Sequence, residues 1–226
     1  EMMAAVAETR GLVGMVDNTF ASPVNLRPAE WGFDVVLHSA TKYLGGHSDL
    51  AAGVVAGPAP VLSDARHTAE LLGGMLAPHA CFLLHRSLKT LGVRVRQQNE
   101  TAQAVAEALS AHRAVDQVRY PGLNSHPQHA RAQTLLDGFG GMVSFNLAPQ
   151  ANVDAFFDAL TLPLRAPSLG GVETLVTQPL HTSHRGVAPE ERAALGITER
   201  LVRLSVGLEG TSDLVDDVTE ALSASV

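Results

Sequence analysis

Two short apolar runs near the start of the chain constrain its fold more than any other feature. The runs 11–18 (GLVGMVDN) and 33–40 (FDVVLHSA) are nearly continuous in apolar residues, and each ends in polar ones. Strands with this pattern are usually buried on both faces, as in parallel or mixed sheets covered by helices. A third run, 50–57, is also predicted to be a strand and is followed by a proline.

Helical patterns alternate with these strands along the chain. The segment 64–74 is predicted to be a helix that ends at glycine, and 78–112 a long helix that links two domains and could be interrupted at Gly92. A short strand and turn are predicted at 115–123, and further strands at 141–148 and 200–208, with alternating Val143, Phe145 and Leu147 in the former. Helices are predicted at 129–136, 153–160 and 212–225, the last capped by Ser212. This alternation predicts an α/β protein with a sheet domain at 1–77, the linking helix, and a smaller α/β domain at 113–226.

The composition excludes several classes of protein. Of 226 residues, 46% are hydrophobic and 17% charged, which is typical of a globular chain. The formal net charge of −7 argues against a nucleic-acid surface, and no apolar run approaches the roughly 20 residues of a membrane span. The single cysteine, Cys81, favours a reducing cytoplasm, and its apolar neighbours predict a buried core residue.

The first twenty residues begin inside a helical pattern and run directly into a strand. This arrangement is typical of the middle of a domain. We therefore expect the chain to be a fragment, a processed product or one half of a split protein.

A carboxylate and an amine follow two successive predicted strands. Asp17 ends the first strand, and Lys42 comes shortly after the second. In open α/β sheets, ligands bind at the carboxyl ends of the strands, so both side chains could face one crevice. A surface salt bridge, or two unrelated loop residues, is the alternative that spacing alone leaves open.

The residues around Lys42 favour covalent chemistry. A lysine that forms a Schiff base must lose its proton, and a pyridine-type cofactor needs an anion at its ring nitrogen, for which Asp17 is suited. Ser39 and Thr41 offer hydroxyl groups of the kind that hold a phosphate, and two glycines follow at 45–46. Together these features describe a pyridoxal phosphate pocket.

Several motifs closely resemble, in order, the cystathionine γ-synthase-like family of pyridoxal phosphate enzymes of cysteine and methionine metabolism. They are VDNTFASP, HSATKYLGGHSD, LLHRSLKTL, YPGLNSHPQHARA, GFGGMVSFNL, SLGGVETL and RLSVGLE, and they span essentially the whole chain. The resemblance implies the C-terminal part of a fold-type I pyridoxal phosphate-dependent transferase. In that fold a mixed-sheet cofactor domain is followed by a smaller α/β domain.

The resemblance also implies roles for cofactor-binding residues. Lys42 would carry the Schiff base and then shuttle protons between substrate carbons. Asp17 would pair with the pyridinium nitrogen, Ser39 and Thr41 would bind the phosphate, and Thr19 would lie near the ring.

On the substrate side, Arg203 matches the family's arginine for the substrate carboxylate, a task suited to a bidentate guanidinium. Ser168 matches a serine beside the lysine and the substrate backbone. The implied reaction is β/γ-elimination or γ-replacement on cystathionine, methionine or an O-acylhomoserine, by a carbon–sulfur lyase or γ-synthase. The family builds its sites between subunits, which implies a homodimer or homotetramer.

The chain also departs from the family pattern. Pro167 stands where many members carry a glutamate linked to the distal amine of cystathionine, and Ser87 replaces a glycine, a change predicted to affect packing only. Members begin well before this chain, and their earlier part supplies a phosphate loop, a tyrosine on the ring, and a tyrosine and arginine for the neighbouring subunit. The alternative function is therefore a non-catalytic or half-site subunit that needs a partner for cofactor binding.

One further pair of residues suggests a metal site only weakly. His181 and His184 are three residues apart, but no acidic or cysteine partner follows at a suitable spacing. We expect them to line the mouth of the site or a turn, and we expect no metal.

Overall fold

The computed structural model describes residues 2–226, which form two compact units. The first unit ends at Gly92, and the second comprises Val93–Val226. Among the described residues, no helix is both long enough and apolar enough to cross a membrane.

The first unit contains a small mixed sheet and several helices. Its strands are β1 (Met15–Asp17), β2 (Val35–Ser39) and β3 (Gly53–Ala56), and its helices are α1 (Met2–Thr9), α2 (Ser22–Asn25), α3 (Ala59–Leu72) and α4 (Pro78–Leu88), with a 3-10 turn at Pro28–Trp31. β2 lies in the middle, parallel to β1 and antiparallel to β3. The three strands predicted from the apolar runs are confirmed.

β2 is the buried strand of this sheet, with Val35 and Val36 almost inaccessible to solvent. Because β1 and β2 run parallel, their carboxyl ends lie at the same edge of the sheet. The register pairs Asp17 with Leu37, so the chain leaving β2 passes close to the end of β1.

The second unit is built on a five-stranded sheet covered by helices. Its strands are β4 (Val115–Arg119), β5 (Met142–Leu147), β6 (Leu164–Arg165), β7 (Leu175–Thr177) and β8 (Leu201–Ser205), in the order β4-β5-β8-β7-β6. Its helices are α5 (Leu91–Ala111, in this unit from Val93 on), α6 (His129–Leu135), α7 (Val153–Ala159), α8 (Pro189–Ala194) and α9 (Thr211–Ala224), with a 3-10 turn at Pro179–His181. Among the described strands of this second sheet, β6 and β7 pair in parallel and the other neighbours pair antiparallel.

The core of the second unit lies between one face of this sheet and the helices α5, α7 and α9. Val143, Phe145 and Leu147 alternate inward along β5 and are buried, as predicted. The ring of Phe145 packs edge to face against that of Phe156 in α7, with 5.9 Å between the ring centroids. This packing leaves the other face of β8, which carries Arg203, directed away from the core.

Three expectations differ from the structure, and two strands were not predicted. The predicted 78–112 helix is two helices, α4 and α5, with the break at 89–90 rather than at Gly92. Gly210, not Ser212, precedes α9. Cys81, which was predicted to be a buried core residue, is exposed, and the buried residue of α4 is Ser87. The strands β6 and β7 were not predicted, since two or three residues are too few to show an alternating pattern. The predicted α/β class is confirmed.

Candidate active site

Asp17 is the last residue of β1, and its carboxylate is held by Thr19. The Thr19 hydroxyl donates to Asp17 Oδ1 at 2.5 Å, and the Thr19 backbone N–H donates to the same oxygen at 2.9 Å. These two hydrogen bonds lower the pKa of Asp17 below its usual value, with a smaller contribution from nearby His38. Hydrogen bonds to a carboxylate favour its charged form, so the end of β1 carries a fixed anion at neutral pH.

Thr19 also joins the ends of β1 and β2. Its Oγ1 accepts a hydrogen bond from the backbone N–H of Ser39 at 2.7 Å, and its side chain is buried. A single hydroxyl therefore links the last residue of β2 to the carboxylate at the end of β1. Sequence reasoning placed Thr19 near the cofactor ring but did not identify this bridge.

Lys42 lies in a tight turn directly after β2. The backbone N–H of Lys42 donates to Ser39 O at 3.1 Å, and the backbone carbonyl of Lys42 accepts from Gly46 N–H at 2.7 Å. A Cβ built on Gly45 would lie 2.7 Å from Ala40 O, which is closer than real Cβ atoms approach backbone oxygen. The close chain approach in this turn therefore requires glycine at position 45.

The two hydroxyl residues beside Lys42 differ in their surroundings. Thr41 Oγ1 accepts from Ala52 N–H at 3.0 Å, so it is tied to the segment that enters β3. Within residues 2–226, the half-buried Ser39 hydroxyl makes no hydrogen bond. Of the two, Ser39 has its hydroxyl oxygen more fully available for a ligand.

Two histidines of the first unit escaped sequence reasoning. His38, on β2, is buried, and its Nδ1 has no hydrogen-bond partner among the described residues. Burial lowers the pKa of His38, while the charge of Asp17 opposes that change. A single histidine inside an otherwise apolar strand was the available signal for this buried site.

The second of these, His47, caps the turn that contains Lys42. Its Nδ1 lies 2.7 Å from Gly45 O and 3.3 Å from the Ser87 hydroxyl of α4. The prediction that serine at position 87 affects packing only is wrong, since its hydroxyl makes a polar contact with His47. This contact connects α4 to the lysine turn.

In the second unit, Arg203 of β8 has a partly buried guanidinium. Its Nη2 donates to Ser168 O at 3.1 Å, whereas its buried Nε has no partner among residues 2–226. Burial lowers the pKa of Arg203, because desolvation disfavours the charged form. An anionic ligand would give the unpaired N–H groups acceptors and would compensate the charge.

Ser168 adopts a backbone conformation that is rare for any residue except glycine, with φ at +100°. Such strain persists only where surrounding contacts enforce it, and it clusters at functional sites. Pro167, which precedes it, lines a cavity of about 210 Å³ together with Phe157, Arg165 and His181.

The predicted site residues thus fall into two groups, one in each unit. Asp17, Thr19 and Ser39 are joined by hydrogen bonds, and Lys42 follows in the adjoining turn; Ser168 and Arg203 are bonded directly. His181 ends the 3-10 turn of the second unit, and the N–H of His184 bonds back to Pro179 O, so both histidines belong to a turn as expected. No cluster of three metal-ligating side chains occurs among the described residues.

Comparisons with known proteins extend over nearly the whole chain. The family model for Cys/Met metabolism PLP-dependent enzymes matches residues 1–223. Cystathionine gamma-synthase 1 of Nicotiana tabacum is 44% identical over 99% of this chain and 42% of its own length. Cystathionine gamma-lyase of Bacillus subtilis is 43% identical over 98% of this chain and 59% of its own.

Solved structures give the same result. Cystathionine gamma synthase from Xanthomonas oryzae, in complex with cystathionine, superposes with a TM-score of 0.93 at 43% identity, covering 98% of this chain and 58% of that one. A cystathionine gamma-lyase from Micromonospora echinospora has the same TM-score at 40% identity, over 97% of this chain and 58% of that one. This chain therefore spans about half the length of the relatives it matches. The chain belongs to the Cys/Met metabolism pyridoxal phosphate-dependent enzyme family.

Proposed function

We propose that the protein is a pyridoxal phosphate-dependent enzyme of sulfur amino acid metabolism. One observation carries the proposal. A carboxylate kept ionised by Thr19 stands at the end of β1, and the same threonine binds the end of β2 just before the Lys42 turn. Few cofactors require a fixed anion, an amine and hydroxyl groups together at one sheet edge.

These residues fit the cofactor. The ionised Asp17 would hold the protonated ring nitrogen, Ser39 and Thr41 would bind the phosphate, and Lys42 would hold the aldehyde carbon. Thr19 would keep the Asp17 carboxylate ionised and in place for that contact. When bound, pyridoxal phosphate acts as an electron sink for negative charge that develops on the substrate carbons.

Lys42 and Arg203 would then act on the substrate. The Nζ of Lys42 would remove the proton from the substrate Cα and move protons between neighbouring carbons, a role that needs a neutral amine. Arg203, with its unpaired N–H groups, would bind the substrate carboxylate through a bidentate pair, and Ser168 would border the same position.

The proposed reaction is carried out at the β or γ carbon of the substrate. It is either elimination, after which hydrolysis of the product by water gives a 2-oxo acid and ammonia, or γ-replacement, in which a thiol takes the place of the leaving group. The proposed substrates are cystathionine, methionine and O-acylhomoserines. Because Pro167 offers no carboxylate to a distal amine, we favour substrates without that amine.

The experiment follows from the covalent link. Purified full-length protein should be yellow, and borohydride should attach the cofactor irreversibly to the peptide that contains Lys42, as seen by mass spectrometry. Lys42→Ala should abolish this label. A panel of cystathionine, methionine, O-acetylhomoserine and O-succinylhomoserine, each with and without thiol, would define the reaction. A protein that stays colourless with added cofactor would refute the proposal.

A second candidate function is a half-site subunit that needs a partner to bind the cofactor. It is favoured by the apolar surface of the first unit, where α3 has no buried residue and Leu71, Leu72 and Met75 are 73%, 81% and 56% exposed. Exposed apolar patches mark surfaces that another segment covers. The partner would be a polypeptide corresponding to the part of the relatives that this chain does not span.

Native mass spectrometry separates the two candidates. A chain heavier than 23.8 kDa, or a co-purifying second polypeptide that restores the yellow colour, would identify what covers this surface. A lone 23.8 kDa species that cannot bind cofactor would favour the half-site subunit. In the favoured case we also propose a homodimer or homotetramer with shared sites.

A further inference from the structure

The loop Ser168–Thr174 is fixed at its start by contacts with β8. Arg203 Nη2 donates to Ser168 O at 3.1 Å, and the N–H of Gly170 donates to the Ser205 hydroxyl at 2.9 Å. Ser168, whose carbonyl oxygen accepts the hydrogen bond from Arg203, is the residue with the strained φ of +100°. Both contacts depend on the loop keeping its path.

The middle of the loop is held by α5. The fully buried side chain of Gln98 donates from Nε2 to Gly171 O at 2.7 Å. This hydrogen bond limits movement of the segment between the two ends of the loop. The Gln98 hydrogen bond does not restrain Thr174, the last residue of the loop, which has hydrogen bonds of its own.

Glu209 holds that last residue with two short hydrogen bonds. The N–H of Thr174 donates to one carboxylate oxygen and its hydroxyl donates to the other, each at 2.6 Å. Thr174 is completely buried, and its Oγ1 also accepts from Gly207 N–H at 2.8 Å. Thr174 O also accepts from Leu164 N–H at 2.8 Å, but hydrogen bonds to an ionised group are stronger than neutral ones, so the Glu209 pair contributes strongly to the restraint at Thr174.

The loop has little room to move around the clamp, as we call the two hydrogen bonds between Thr174 and Glu209. A Cβ at Gly207 would lie 2.4 Å from Val172 O, and the Leu208 N–H already bonds to that oxygen at 2.8 Å. Since strained backbone persists only when its surroundings over-determine it, loss of the clamp should let Ser168 leave its positive φ.

We propose that Glu209 is a positioning residue for Arg203. By fixing Thr174, it keeps the Ser168–Thr174 loop in the conformation that places Ser168 O on the guanidinium. The guanidinium is then oriented to receive a substrate carboxylate. Glu209 itself touches neither substrate nor cofactor. The inference rests on the proposed role of Arg203 and adds the residue that preorganises it.

The test compares two glutamate-to-glutamine variants. In Glu209→Gln, one of the two acceptor oxygens becomes an NH₂ group that faces a donor of Thr174. Glu173→Gln makes the same chemical change one residue from Thr174, and Glu173 forms no hydrogen bond or ion pair with the described residues. Thr174→Val removes the hydroxyl bond to Glu209 and also the acceptor of Gly207 N–H, and it serves as a second variant if Glu209→Gln does not fold.

The first readout is amide hydrogen exchange in the ligand-free protein. Glu209→Gln should speed exchange at Gly170 and Thr174, whose N–H groups are bonded in the native loop. Glu173→Gln should leave both rates unchanged. Unchanged exchange in Glu209→Gln would overturn the inference whether or not the protein is active.

The second readout uses two inhibitors of the cofactor-loaded full-length protein, L-norvaline and n-butylamine, which differ only in the carboxylate. Loss of an oriented guanidinium should raise the inhibition constant of norvaline about tenfold in Glu209→Gln and leave that of butylamine unchanged. Equal weakening of both inhibitors would indicate a merely structural role and overturn the inference.

The wild-type protein distinguishes the remaining outcomes. A wild type that binds norvaline no better than butylamine would overturn both the proposed role of Arg203 and this inference. A wild-type preference for norvaline that survives intact in Glu209→Gln would overturn the inference alone.

Discussion

The hydroxyl of Thr19 lies 2.5 Å from the Asp17 carboxylate, and it accepts the Ser39 N–H at 2.7 Å. Each partner ends one of two parallel strands. The bridge thus fixes the position of the anion relative to the chain segment that leads to Lys42. In the proposed function the ring nitrogen of the cofactor would require an ionised carboxylate. The Thr19 hydroxyl both holds the Asp17 carboxylate and joins the ends of β1 and β2.

Removal of the Thr19 hydroxyl should weaken both the hold on the Asp17 carboxylate and the link between the ends of β1 and β2. Thr19→Val keeps the shape of the side chain but leaves the Ser39 N–H without its acceptor and Asp17 without its shortest hydrogen bond. We expect a loss of about 1 to 2 kcal/mol in the free energy of unfolding and a clear loss of cofactor affinity. Denaturant titration and cofactor titration measure these changes.

The matched control is Thr19→Ser, which retains the hydroxyl and should behave like wild type. In Thr19→Val the pKa of Asp17, followed by NMR, should rise toward its ordinary value of 3.8. The stabilisation linked to Asp17 is present above that value and lost as the pH falls through the lower native pKa, so Thr19→Val should lose less stability in acid. An unchanged Asp17 pKa would contradict this explanation.

The pH dependence of stability should also report His38. Burial lowers its native pKa below the ordinary 6.5, so between those two values the unfolded state binds more protons than the folded state. Stability linked to His38 is therefore complete above pH 6.5 and is lost as the pH falls toward the native pKa. His38→Gln should reduce the slope of unfolding free energy against pH by up to about 1.4 kcal/mol per pH unit.

The slope is measured by denaturant unfolding at several values between about pH 7 and 5. His67, exposed on α3, provides the matched control, and His67→Gln should leave the slope close to wild type. An equal slope in wild type and His38→Gln would show that protonation of His38 is not coupled to folding.

The positions of Asp17 and Lys42 could be predicted because each follows an apolar run, and the direction of parallel strands brings their ends together. The Thr19 bridge could not, since it joins residues 20 positions apart and depends on the β1–β2 register. The exposure of Cys81 was missed for a related reason. The α4 sequence has apolar residues on more than one side, and only tertiary packing decides that Ser87 is the buried one.

The lysine turn should be sensitive to a single added methyl group. In Gly45→Ala the new Cβ would lie 2.7 Å from Ala40 O and 3.3 Å from the Leu50 side chain, so backbone must move. We expect destabilisation of about 1 to 3 kcal/mol and weaker cofactor binding, because the displaced backbone carries Lys42.

Gly53→Ala is the control for this change, since a Cβ there meets nothing within 4 Å. Thermal unfolding and cofactor titration of the two variants give the comparison. Equal melting temperatures and affinities for both would show that the turn tolerates a side chain at position 45.

Substitution of Arg203 should separate substrate binding from cofactor binding. Arg203→Lys keeps a positive charge but loses the planar fork that can bind a carboxylate through two hydrogen bonds. We expect KM to rise at least about tenfold while cofactor affinity stays unchanged, because the loss corresponds to one charge-assisted hydrogen bond. Arg200→Lys, three residues away and exposed, should leave KM unaltered. Steady-state kinetics with a cofactor titration on each variant gives both quantities, and an Arg203→Lys enzyme with wild-type KM would remove Arg203 from the substrate site.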